Sequence, residues 1–144
     1  MNELQVVLTG TVLPVEERPI PVVDHVTIVV SDLAVSDRFY TAALAPLGIE
    51  RLRSGDVDGG VAFGRPHADD FGIMPAGEVA ATTTAHIAFG SPSRAAVDDF
   101  YRAALATGGE SRRPPGVQTE YSEGYYAAFV SDPDGNNIEA VHHG

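Results

Sequence analysis

The sequence predicts an α+β fold built from two tandem β-α-β-β-β modules. Three observations predict it. An internal repeat runs through the chain at constant offset. Each copy opens on a β-rich run that leads into a helix with one apolar face. Short strands separated by turn residues follow each helix.

The repeat is visible by inspection. HVTIVVSDLAVSDRFYTAALAPLG, from His25 to Gly48, aligns without a gap on HIAFGSPSRAAVDDFYRAALATGG, from His86 to Gly109, at an offset of 61. Ten of the 24 positions are identical, where compositions like these give about two by chance. The identities include His25 with His86, Asp37 with Asp98, and Phe39-Tyr40 with Phe100-Tyr101.

In the first copy, Val22 to Val30 reads as a strand. Ser31 or Asp32 can cap the helix that follows, Phe39, Ala42 and Ala43 give it an apolar face, and Pro46 and Gly48 stop it. Strands are expected at Ile49 to Arg53, Val61 to Gly64 and Phe71 to Met74. In the second copy, Thr84 to Phe89 reads as the first strand. Ser91 is the expected N-cap, with Pro92 at the first helical position, and Gly108-Gly109 ends the helix. Arg112 to Gly124 is rich in Pro, Gly and charge, and its strand is obscure. Tyr125 to Val130 and Asn137 to Val141 are clear strands, joined by the turn Asp132-Pro133-Asp134-Gly135.

The domain expected is residues 22–144, with module one at 22–75, a linker at 76–83 and module two at 84–144. Residues 1–21 form an arm outside the repeat. Leu4, Val6 and Leu8 alternate as an extra strand would, and Pro14, Pro19 and Pro21 extend the remainder.

Nine basic against twenty acidic residues give 9 − 20 = −11. That charge disfavours nucleic acid and anionic membrane as partners. With no cysteine there is no thiolate nucleophile or thiolate metal site. MNELQVVLTG carries an acid and no early base, unlike a signal peptide. No apolar run approaches the roughly 20 residues needed to span a bilayer. A cytoplasmic location is expected.

Strand alternation then selects three polar residues. Val26 and Ile28 share one face of their strand, as do Ile87 and Phe89, and Ile138 and Ala140. The opposite faces present His25, His86 and Glu139. A lone strand histidine is ordinarily a hydrogen-bonded core or edge residue, and a lone glutamate is ordinarily solvated. Here the two histidines occupy one repeat position, and two imidazoles with a carboxylate suit a divalent metal. A bound cation would also offset the cost of placing Glu139 among Ile138, Ala140 and Val141.

The modules, the strand DHVTIVV, the second strand AHIAF and the ending GYYAAFVSDPDGNNIEAV resemble the vicinal oxygen chelate superfamily, the glyoxalase, bleomycin-resistance and ring-cleaving dioxygenase group. The resemblance covers about Val22 to Gly144. It implies a cupped, incomplete eight-stranded barrel around a divalent metal (Zn, Mn, Fe, Ni or Co) held by His25, His86 and Glu139. The fourth ligand of glyoxalase I does not transfer, because Gly72 or Ile73 falls opposite Glu139. Three ligands leave open positions for a small oxygenated substrate chelating through two oxygens, in a lyase, isomerase or dioxygenase.

Glu139, Tyr125 and Tyr126 are the candidate catalytic groups. One tyrosine of the pair faces the cup and the other the core. His143 keeps the parity of Glu139. Tyr121, Arg113 and His67 are candidate substrate contacts, although a strand tyrosine is ordinarily packed in the core with its hydroxyl satisfied and a loop arginine is ordinarily solvated. The resemblance further implies a homodimer, with the metal held within one chain or shared between two. The alternative is a metal-free, antibiotic-sequestering binding protein of the same fold.

Overall fold

The computed structural model describes residues 5–8, 11–14, 20–54, 59–66 and 68–144. An amino-terminal hairpin pairs β1 (Gln5–Leu8) with β2 (Thr11–Pro14). Module one contains β3 (Val26–Val30), α1 (Leu33–Leu44), β4 (Glu50–Ser54), β5 (Val61–Gly64) and β6 (Phe71–Pro75). Module two contains β7 (His86–Gly90), α2 (Arg94–Ala106), β8 (Glu110–Val117), β9 (Tyr125–Ser131) and β10 (Asn137–His143). The sheet orders are β3-β6-β5-β4 and β7-β10-β9-β8, so the two modules share one topology. The fold is α+β with two repeated modules, and its sheets are not closed.

Three details differ from the sequence reading. The first strand begins at Val26, one residue beyond His25. Helix α2 is capped by Ser93, whose side chain accepts from Ala96 N at 3.0 Å, and not by Ser91. Ser91 Oγ turns instead to Ser93 O, 2.8 Å away, in the short loop around Pro92. A strand also runs through Pro114 and Pro115. It lies at the edge of its sheet, with register shifts between Ser111 and Gly116. An edge strand tolerates the missing N–H groups of proline. Asp32 caps α1 through Val35 N at 3.1 Å, and Gly48 ends the following turn at φ 76°, a left-handed value that favours glycine.

The two helices pack against each other, and one core draws on both of them and on one face of each sheet. Phe39, Tyr40, Leu44 and Phe100 are fully buried within it, with Ile28, Val30, Ile138 and Ala140 from the strands. The other face of the second sheet carries a separate small cluster of Ala127, Phe129 and Val141, with Tyr125 packed against it. Antiparallel pairing sets Glu139 opposite Phe129 on that face.

The SDPDGNN turn joins the modules. Asp132 is buried, and its carboxylate accepts from Tyr40 OH at 2.5 Å, Asn136 Nδ2 at 2.9 Å, Asn136 N at 2.8 Å and Asp134 N at 2.9 Å. Asn136 Nδ2 also donates to Thr82 O at 2.7 Å, while Asn136 Oδ1 accepts from Ala85 N at 3.0 Å. Asn137 N donates to Ala85 O at 2.9 Å. These bonds begin the parallel pairing of β10 with β7, in which Asn137 is the partner of His86.

Asp132→Ala leaves the Tyr40 hydroxyl and two backbone N–H groups without their acceptor, and should cost on the order of 3–5 kcal/mol. Tyr40→Phe keeps the ring packing on Phe39 and Phe71 and should cost about 1.5–3 kcal/mol, the value of a hydrogen bond to a charged group. Urea midpoints measure both. Burial, then the nearby Asp132 charge, push the Tyr40 hydroxyl well above the usual tyrosine range. The folded chain therefore keeps a proton that the unfolded chain releases above about pH 10. Stability from this group is present below that pH and falls as pH rises above it. Tyr40→Phe should flatten the alkaline limb of a stability–pH profile, and an unchanged limb would refute the assignment.

Candidate functional site

Glu139 sits in β10 with its side chain 2% exposed. Taking a carboxylate out of water costs several kcal/mol unless donors replace the water. Two do. His86 Nε2 lies 2.9 Å from Oε1, and the Tyr125 hydroxyl donates to Oε2. A carboxylate accepts only, so Nε2 carries the proton in the first contact. Burial, then the hydrogen bond to Glu139, raise the Tyr125 hydroxyl well above the usual tyrosine range.

The backbone explains this gathering. Parallel pairing sets Glu139 beside Ala88, so Glu139 leans back one pleat to reach His86. Antiparallel pairing places Tyr125, Ala127 and Phe129 on the Glu139 face of β9. The His86 ring lies 6.2 Å from the ring of Phe129. The guanidinium of Arg113 stands 5.5 Å above Phe129, and its Nη1 donates to Glu120 Oε1 at 2.7 Å. Tyr121 is exposed, with its ring 4.9 Å from Tyr125, and the His143 ring meets Tyr125 edge-on at 5.2 Å.

Of the expected site residues, the structure therefore gathers Glu139, His86, Tyr125, Tyr121 and Arg113. It does not gather Tyr126, which follows Tyr125 and so points to the other face. There the Tyr126 hydroxyl donates to Asp98 of α2 at 2.7 Å, and Arg94 lies over its ring at 5.0 Å. His25 is also apart. Its side chain is 68% exposed and pairs with Asp24 at 2.8 Å, a hydrogen bond that raises its pKa above the ordinary histidine value. His67 lies outside the described residues. Phe129 was missed by sequence reasoning, although its position opposite Glu139 follows once the hairpin register is known.

The pair His86–Glu139 fits part of a metal site. Two ligands at right angles on a divalent ion with bonds of about 2.1 Å stand about 3 Å apart, and Nε2 and Oε1 are 2.9 Å apart. Among the described residues of one chain, the set stops at two. Among the described residues, no three His, Asp or Glu side chains gather closely enough to hold a metal ion. Gly72 occupies the module-one position equivalent to Glu139, since it pairs with Thr27 as Glu139 pairs with Ala88. A Cβ there would stand 3.2 Å from Thr27 Oγ1.

A family model described as the glyoxalase/bleomycin resistance protein/dioxygenase superfamily matches residues 22–140. The chain belongs to that superfamily. A solved glyoxalase/bleomycin resistance protein from Albidiferax ferrireducens T118 is 34% identical, with a TM-score of 0.69, covering 84% of this chain and 98% of its own. A family enzyme from Burkholderia phytofirmans PsJN is 18% identical at a TM-score of 0.63, covering 84% and 98%. A glyoxalase I mutant from Zea mays is 24% identical at a TM-score of 0.61, and the match covers 83% of this chain and 46% of that one. These last two share the fold. No curated protein matches significantly. Among the described residues of this superfamily member, no helix is long and apolar enough to cross a membrane.

The Tyr125–Glu139 contact can be measured without a ligand. Tyr125→Phe removes a donor from a buried carboxylate and should destabilise the chain by about 1–3 kcal/mol. In a Glu139→Gln background the same change should cost less, giving a coupling of about 1 kcal/mol or more in a double-mutant cycle. Additive effects would show that the two side chains do not share a hydrogen bond in solution.

Proposed function

We propose that this protein is a small metalloenzyme of its superfamily, binding an oxygenated substrate at a divalent metal shared between two copies of the chain. His86 and Glu139 of one copy and His25 of the other would hold the ion. The observation that carries the reading is the 2.9 Å approach of Nε2 to Oε1 on a sheet face turned away from the helices. His25 supports it from the other module, being exposed and held apart from that pair.

A divalent ion of the Zn, Mn, Fe, Ni or Co kind would supply Lewis acidity, making a chelated substrate oxygen more electrophilic. The chain's own residues would do the rest. Tyr125 holds a proton at Glu139 Oε2 and keeps that carboxylate oriented. Its hydroxyl is a donor at neutral pH, as a tyrosine ordinarily is, and burial with the Glu139 hydrogen bond holds it further from phenolate. Phe129 and Tyr121 offer apolar surface to the substrate body, and Arg113, held over Phe129, is placed to meet a polar or anionic end. Tyr126, bonded to Asp98, is left out of this chemistry.

A second reading has its own observation. Both Glu139 oxygens already have protein donors. The aromatic face could therefore bind a small molecule without metal, as a sequestering protein does.

Complementation between subunits tests the shared site. Wild-type protein should take up about one ion per chain, read by calorimetry with Mn²⁺ or Zn²⁺. His25→Ala and His86→Ala alone should each lose at least roughly a hundredfold in metal affinity. Refolded as a mixture, random pairing should restore about a quarter of the sites, because half the dimers carry one intact site. No recovery, with both variants dimeric, would refute sharing. No uptake by wild type would favour the metal-free reading.

A further inference from the structure

We propose that this site selects substrates that carry a carboxylate at the end away from their chelating oxygens, and that Gln118 and Glu120 are the positioning residues that hold Arg113 ready to bind it. The inference deepens the proposed function and rests on that reading for the chelating end.

Arg113, Phe129 and Glu139 form one row across the second sheet, since Phe129 is the direct partner of Arg113 on one side and of Glu139 on the other. Directly paired residues share a face, so Arg113 and Glu139 emerge on the same one. The Arg113 side chain stays over that face. Its guanidinium lies 5.5 Å above the Phe129 ring, and the His86 ring lies 6.2 Å from the same ring.

Two acceptors fix the guanidinium there. Nη1 donates to Gln118 Oε1 and to Glu120 Oε1. Gln118 is 6% exposed, and its backbone N donates to Tyr125 O at 2.7 Å. Its amide can stand only one way round, because arginine offers no acceptor and the other end meets Gly116 O at 3.1 Å. The two bonds use both hydrogens of Nη1. Among the described residues, nothing accepts from Nε or Nη2. Those two nitrogens form the edge through which a guanidinium grips a carboxylate by two parallel bonds. Glu120 alone would leave the guanidinium free to swing, and the buried amide decides which edge stays open. The chain's charge of −11 works against an anion at long range, so selection comes from these short-range bonds.

The sheet also sets a length. Arg113 and Glu139 stand on strands separated by one other, which places their backbones roughly 10 Å apart. Side chains reaching in from both ends shorten this to about three or four carbons between the chelating oxygens and the carboxylate.

The probes are 2-oxoadipate and 2-oxohexanoate, which differ only in the far carboxylate, titrated by calorimetry into the Mn²⁺-loaded full chain. Wild type should bind the diacid about tenfold more tightly, a modest factor because the guanidinium is half exposed. Arg113→Met should bring the ratio close to one. Gln118→Met removes the buried acceptor and should lower the ratio about threefold, the cost of freeing one ordered side chain. Its affinity for 2-oxohexanoate should not change, a split that a merely structural role would not produce. Glu120→Gln keeps an acceptor, removes the competing negative charge, and should raise the ratio. Equal affinities for the two acids in wild type, a ratio that survives Arg113→Met, or binding of neither acid by a protein that takes up Mn²⁺ would overturn this inference alone. Failure of wild type to take up Mn²⁺ would overturn the metal reading, and a preference for the diacid that Arg113→Met abolishes would then still sustain the carboxylate fork.

Discussion

The buried carboxylate of Asp132 is the interaction on which the rest of this structure depends. It gathers two backbone N–H groups of its own turn, the amide of Asn136 and the hydroxyl of Tyr40 from α1. A turn that would otherwise connect two strands locally becomes the junction between modules. Asn136 extends the junction to Thr82 and Ala85 at the end of the linker, and the Asp134 carboxylate extends it to Ser31 at the end of β3. The register of β10 on β7 begins here, at Asn137 beside His86. Glu139 can meet His86 only because that register holds. A shift of one residue would turn Glu139 to the helix side and Ile138 to the open side.

The two buried acidic residues of this segment illustrate how surroundings assign roles to one functional group. Asp132 accepts from two backbone N–H groups of its own turn and from the buried side chains of Tyr40 and Asn136. Glu139 is as deeply buried, but its donors are side chains, one of them the half-exposed His86. Imidazole can rotate away or lose its Nε2 proton to solvent and offer the lone pair to a cation, whereas the backbone N–H groups around Asp132 can do neither. A carboxylate bound by movable donors suits a ligand site. One bound in part by the main chain and otherwise by buried side chains suits a structural hub.

Much of this was legible in the sequence, and the exceptions have physical causes. The repeat forecasts both modules, because a duplicated unit keeps its apolar spacing, and strand alternation places His86 and Glu139 on one face. Alternation also separates Tyr125 from Tyr126, but choosing between them needs the pairing of β9 with β10 and the position of Asp98 on α2. The strand through Pro114 and Pro115 was obscure because proline removes the ladder donors by which a strand is ordinarily judged. Its edge position makes the loss harmless. The cap at Ser93 was misplaced because Ser91-Pro92-Ser93 offers two hydroxyls, and only the folded loop decides which one meets Ala96 N. Gly72 was one of two residues expected opposite Glu139, and the matched pairings Thr27–Gly72 and Ala88–Glu139 select it.

The asymmetry between Gly72 and Glu139 bears on why one chain would need another. Both modules send one sheet face to a common core built around the two helices. Among the described residues of one chain, no third His, Asp or Glu joins His86 and Glu139. Module one retains a histidine but has no carboxylate at its equivalent position, where glycine lies close against Thr27. Module two retains both. Neither face alone offers three ligands, and joining two module-two faces would bring together four donors but leave His25 unused. Joining a module-one face to a module-two face would supply two imidazoles and one carboxylate. A twofold pairing of identical chains makes that junction twice, which is why the proposed site belongs to the dimer rather than to the fold of a single copy.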